Sequence, residues 1–98
     1  MKNIFFSPDT DVLEDVEVDN ELDKRYEIVI HNDDYNTFEH VINCLIDICG
    51  HEPLQAEQCA TIIHNVGKCS VKVGAKSELS PKYKALKSEG LTATMEQV

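Results

Sequence analysis

The first 23 residues carry eight acids (Asp9, Asp11, Glu14, Asp15, Glu17, Asp19, Glu21, Asp23) against Lys2 alone. The apolar residues among them stand isolated between carboxylates and cannot bury enough surface to offset the entropy of ordering the segment. Residues 1–23 therefore read as a mobile acidic N-terminal extension, in which Val12, Val16 and Val18 leave room for a weak edge strand. The folded domain must come from residues 24–98. A domain that short is marginal and needs almost every apolar side chain in its core.

Within that stretch the residues alternate between two periodicities. Tyr26-Glu27-Ile28-Val29-Ile30-His31 is short and β-branched, and Asn32-Asp33-Asp34 stops it, so it reads as a strand. Asn36 followed by Glu39 resembles a capping box. Phe38, Val41, Ile42, Leu45, Ile48 and Cys49 then recur at helical spacing, and Gly50 ends the helix. Pro53 suits the first turn of a second helix that buries Leu54, Ala56, Cys59, Ala60, Ile62 and Ile63 and closes at Gly67. With so short a link, the two helices form a hairpin.

Cys69-Ser70-Val71-Lys72-Val73 alternates with period two, as a strand with one wet face does. Ser77 to Ser80 offers helix starts around Pro81, with Tyr83 and Leu86 as a small apolar stripe before Gly90. Leu91-Thr92-Ala93-Thr94-Met95 reads as the last strand. The order β-α-α-β-α-β predicts an α+β fold, one three-stranded antiparallel sheet covered by helices on one face.

Composition narrows the function. Of 98 residues 42% are hydrophobic, a globular value, while the net charge of −9 disfavours a role led by nucleic-acid phosphates. No apolar run has the ~20 residues of a membrane span, and Met1–Pro8 lacks the apolar core of a signal peptide. The expectation is a cytoplasmic monomer. The four cysteines (Cys44, Cys49, Cys59, Cys69) read as small buried hydrophobes. Cys44, Cys49 and His51 hint at a metal site, but without a CxxC or HxxxH pair the expectation is no metal and no cofactor. A thiol enzyme pairing Cys59 or Cys69 with His64 lacks an evident third group to orient the base.

Two polar clusters remain. His31-Asn32-Asp33-Asp34-Tyr35 lies where the first strand gives way to the first helix, and Ile62-Ile63-His64-Asn65-Val66-Gly67 ends the second helix. A helical hairpin can bring His64 back beside Asn32 and Asp33, with Phe38, Val41 and Ile63 as apolar walls. Asn-Asp-Asp is also ordinary turn composition, and a histidine near a helix end often caps a carbonyl.

The stretch Asn32-Asp33-Asp34-Tyr35-Asn36-Thr37-Phe38-Glu39-His40-Val41-Ile42 resembles the NDDxTxMExV signature of the ClpS family, and Ile63-His64-Asn65-Val66-Gly67 resembles that family's VHxxG segment. The likeness is clear over residues 26–69 and fades beyond. It implies a non-enzymatic adaptor that binds proteins with a bulky hydrophobic first residue (an N-degron) and hands them to an Hsp100-type Clp ATPase and its ClpP peptidase. By motif match, Asn32, Asp33 and His64 would hold the substrate α-ammonium. Phe38, at a rim position where Met is usual, would join Val41, Ile63 and Ala60, which replaces a larger residue, in the side-chain pocket. Glu78 and Lys82 are the counterparts of residues that dock on the ATPase N-terminal domain. The same βααβαβ layout resembles the C-terminal domain of the L7/L12 ribosomal stalk protein. The alternative is accordingly a protein-docking module without N-degron recognition.

Overall fold

The computed structural model describes residues 24–98, and the acidic extension expected over residues 1–23 lies outside the described residues. The elements run β1 (Tyr26–His31), α1 (Phe38–Cys49), α2 (Pro53–Val66), β2 (Lys68–Gly74), α3 (Lys76–Ser88) and β3 (Ala93–Gln97). The expected α+β order is thus the observed one. The sheet is antiparallel with order β2-β1-β3, so β1 is hydrogen-bonded along both edges.

Central position explains the composition of β1. Ile28, Val29 and Ile30 are all buried. Ile28 and Ile30 join one core with Val41, Cys44, Leu45 and Cys49 of α1, Ala56, Ala60 and Ile63 of α2, and Leu79 and Leu86 of α3. Val29, which points to the other face by strand alternation, stays outside that cluster. Among the described residues, no helix is long and apolar enough to cross a membrane.

The periodicity of β2 differs from the expected one. The register passes from Ile28↔Lys72 to Val29↔Ser70, leaving Val71 as an extra residue in a bulge. The bulge reverses the alternation: Cys69 pairs with inward Ile30, whereas Val73 pairs with Glu27 on the outer face and is 45% exposed. His51 answers for the disturbed backbone, because its buried Nε2–H donates to the Val71 carbonyl at 2.7 Å. Here His51 acts as a donor to the β2 backbone.

Three boundaries also differ. Thr37, not Asn36, caps α1, accepting the His40 N–H on its Oγ1 at 3.0 Å. Helix α3 begins at Lys76, so Pro81 sits inside it rather than in its first turn, and Leu79, absent from the expected stripe, is fully buried. The last strand starts at Ala93, two residues later than the pattern suggested, because Leu91 and Thr92 form the approach to it. In α2, Ala56, Ala60 and Ile63 are buried as expected, but Leu54 and Ile62 are exposed, being on the outer side of the helix.

Leu86→Ala, at a side chain with no exposure, should lower stability by about 2–5 kcal/mol, read as a fall in the urea midpoint. Leu54→Ala, at a side chain 64% exposed, should stay within about 0.5 kcal/mol of the parent. Equal losses would contradict this assignment of the core.

Candidate functional site

The end of β1 and the end of α2 meet through the backbone. Gly67 terminates α2 at φ 110°, a conformation that a β-carbon disfavours, and its N–H bonds to the Ile63 carbonyl. The Gly67 carbonyl then accepts the N–H of Asn32 at 2.8 Å. One residue earlier, the His31 N–H donates to the Thr92 carbonyl at 2.8 Å. These bonds hold the loop after β1 between the α2 terminus and the approach to β3.

Asp33 organises that loop. Its Oδ1 accepts the N–H groups of Tyr35 at 2.9 Å and Asn36 at 2.8 Å. Its Oδ2 accepts Asn36 Nδ2 at 2.8 Å and Thr92 Oγ1 at 2.8 Å. Asn36 also donates to the Gly90 carbonyl at 3.0 Å, so the side chain expected to cap α1 instead ties the loop to the α3–β3 turn. Burial pushes the Asp33 carboxyl upward, but hydrogen bonds from Asn36, Thr92 and Tyr35 outweigh it and hold the group at about 2. The carboxylate is therefore a fixed negative charge in neutral solution, with both oxygens engaged.

Beside this loop lies a recess of about 40 Å³ between α1 and α2. Asn32, Asn36, Phe38, Val41, Ala60, Ile63 and His64 line it. By the volume a water occupies, it has room for a few water molecules. Val41, Ala60 and Ile63 are buried and form its apolar interior. Phe38 stands on the rim, 44% exposed, while Asn32 and His64 are exposed at the mouth.

Six of the seven residues expected at a substrate site thus line one recess. Asp33 stands apart, bonded within the adjoining loop. Asn36 was not expected there; besides its bond to Asp33, three residues away, it bonds the Gly90 carbonyl across 54 residues of chain, a contact with no local signature. Asp34, next to Asp33, is solvent-exposed. Glu78 and Lys82 lie four residues apart on α3 and take no part in the recess. Burial, and then neighbouring Cys59, push the Cys69 thiol up to about 11, the reverse of what a nucleophile needs.

Residues 21–94 match the family model described as ATP-dependent Clp protease adaptor protein ClpS. The chain is 37% identical over 65 residues to the ATP-dependent Clp protease adapter protein ClpS of Nitratidesulfovibrio vulgaris strain Hildenborough, a match covering 64% of this chain and 61% of that protein. The adapter protein ClpS of Synechocystis sp. strain PCC 6803 is 34% identical over 69 residues, covering 69% of this chain and 70% of its own. That of Oleidesulfovibrio alaskensis strain G20 is 30% identical over 96 residues, covering 92% and 90%. The fold also matches the solved structure of Agrobacterium tumefaciens ClpS2 bound to L-phenylalaninamide, with a TM-score of 0.73, 23% identity, and coverage of 76% of this chain and 98% of that one. With the family model matched over residues 21–94, well over half of the chain, this chain belongs to the ClpS family of adaptor proteins of the ATP-dependent Clp protease.

Proposed function

We propose that the recess between α1 and α2 receives the first side chain of a protein whose N-terminal residue is bulky and hydrophobic, and that the chain delivers that protein to an Hsp100-type Clp ATPase and its ClpP peptidase. The observation that carries this reading is the convergence of Asn32 and His64 on the mouth of an apolar recess, beside the fixed negative charge of Asp33. An N-terminal residue is a charged amine next to a side chain, and it asks for acceptors and a pocket together. The phenylalaninamide bound by the Agrobacterium protein pairs an α-amine with a benzyl group, which supports the same use here.

The division of labour follows from the bonds already made. The Asn32 side-chain carbonyl and a neutral His64 ring nitrogen supply lone pairs to the ammonium N–H groups. Asp33 contributes charge and holds the loop in shape, and Asp34 adds a second carboxylate at the solvent-exposed edge. Charge-assisted hydrogen bonds contribute roughly 1.5–3 kcal/mol each, and burying a Leu or Phe side chain about 1.5–3 kcal/mol. After association costs, an affinity on the order of micromolar follows. Blocking the amine leaves these acceptors facing a group that cannot satisfy them, so discrimination should be sharper than affinity.

The recess is small for an aromatic ring, so it must widen to take one, and half-exposed Phe38 stands at its rim. On α3, exposed Lys76, Lys84 and Lys87 accompany Lys82 and Glu78, giving a basic surface away from the recess. This supports ATPase docking through that helix while substrate occupies the other site.

Peptides differing only at residue one test the reading by fluorescence anisotropy. Phe or Leu should bind; Ile, Ala and N-acetyl-Phe should not. No binding by any peptide would leave a docking module without N-degron recognition. Ala60→Met, which narrows the floor, should weaken Phe peptides more than Leu peptides; an unchanged ratio would remove Ala60 from the pocket.

Asp33→Asn should weaken Phe-peptide binding by at least about tenfold, the equivalent of one lost charge-assisted bond. It should also alter acid stability. Folding lowers the Asp33 carboxyl from 3.8 to about 2, so its stabilisation is complete above the unfolded value and is lost as pH falls through that window. Urea midpoints for the Asn variant should therefore change less between pH 4 and pH 2 than those of the parent, and equal slopes would contradict the assigned role.

A further inference from the structure

Behind the loop, on the side of α1 that meets the end of α3, a second set of side chains converges. His40 and Cys44 are four residues apart on α1, the spacing that stacks side chains on one helix face. Glu89, the residue that ends α3, lies opposite them. A histidine ring nitrogen, the cysteine Sγ and a Glu89 carboxylate oxygen all fall within 4.8 Å of one another. His40 Nε2 is 3.7 Å from Cys44 Sγ and 2.9 Å from the Glu89 backbone carbonyl.

We propose that His40, Cys44 and Glu89 bind one borderline-soft divalent cation, of the Zn²⁺ kind, which staples the α3–β3 turn to α1. A thiolate at 2.3 Å and an imidazole nitrogen at 2.0–2.1 Å from a tetrahedral zinc lie about 3.5 Å apart. The observed 3.7 Å between Sγ and Nε2 is close to that edge. Glu89 is exposed at a helix end, so its carboxylate can close the remaining distance by side-chain rotation. One nitrogen, one sulfur and one carboxylate suit zinc or its first-row neighbours and not magnesium or calcium, which require mostly oxygen. Three protein ligands leave the fourth position to water or to the Glu89 carbonyl.

Binding replaces the Cys44 S–H bond by a sulfur–metal bond and releases that proton to solvent. His40 gives up its hydrogen bond to the Glu89 carbonyl, carrying its ring proton on Nδ1 while Nε2 offers its lone pair. No electron is transferred. The turn so fixed is the one whose Gly90 carbonyl accepts from Asn36 and whose Thr92 hydroxyl donates to Asp33. None of the three ligands lines the recess.

Co²⁺ titrated into the full-length chain, with Zn²⁺ as competitor, tests the proposal. One equivalent of Co²⁺ should produce a saturable thiolate-to-cobalt charge-transfer band that Zn²⁺ abolishes, and Zn²⁺ should raise the thermal midpoint. Cys44→Ala should eliminate the band, whereas Cys59→Ala and Cys69→Ala should retain it. His40→Gln and Glu89→Gln, at more accessible side chains, should each weaken Co²⁺ by at least about tenfold, the lower end of what even an outer-sphere partner contributes. Circular dichroism checks folding of each variant; if Cys44→Ala is unfolded, the His40 and Glu89 variants decide. A band that survives Cys44→Ala, follows Cys59 or Cys69, or is indifferent to both Gln variants overturns the proposal, as does the absence of any saturable band.

Discussion

The rest of the molecule depends on β1 being hydrogen-bonded along both edges. A strand with partners on each side must be apolar where the helices cover it, and it leaves the sheet at one fixed point. At that point the N–H groups of His31 and Asn32 turn to opposite neighbours, the Thr92 and Gly67 carbonyls, each at 2.8 Å. These two bonds place the loop after β1 against both the α2 terminus and the approach to β3. The recess exists because the loop, α1 and α2 cannot separate without breaking them or opening the core beneath.

Asp33 converts that placement into a defined electrostatic surface. Four donors from three residues satisfy its two oxygens, so its charge is held in one position without a cationic partner among the described residues. Neutralising it with a lysine would cancel the attraction for an ammonium; hydrogen bonds stabilise the carboxylate while leaving its charge in place. The neighbouring polar groups Asn32 and His64 stand at the mouth of the recess, where the proposed role would use them as acceptors. In the proposed role, preorganisation of this kind would lower the ordering cost of binding and favour discrimination by the chemistry of the amine.

Local pattern made several features legible. The stripe through Val41, Leu45 and Cys49, the glycine stops at Gly50 and Gly67, and Pro53 at a helix start reflect contacts within a few residues, where backbone sterics dominate. Recess-lining residues Asn32, Phe38, Val41, Ala60, Ile63 and His64 were likewise visible as motif and periodicity. The failures are equally physical. Thr37 outcompeted Asn36 as the α1 cap because Asn36 is held by Asp33 and by Gly90, the latter 54 residues away and recorded by no local pattern. Val73 faces outward because the bulge at Val71 reverses the alternation, and the donor that compensates it, His51, is 20 residues away. Pro81 is tolerated inside α3 while Leu79, two residues before it, is fully buried in the core.

By itself the sequence determined the kinds of element and their order, since helix and strand periods, caps and breakers act over neighbouring residues. It also determined the chemistry available: a hydrogen-bonding loop, a histidine near a helix end, and apolar side chains between them. Only the tertiary structure decided which carboxylate is consumed by the loop, how far the recess is open, and that His40 and Cys44 meet Glu89 from another helix. Those outcomes rest on bonds between residues 49 to 59 apart, where the closure of the chain around β1, and no local preference, sets the distance.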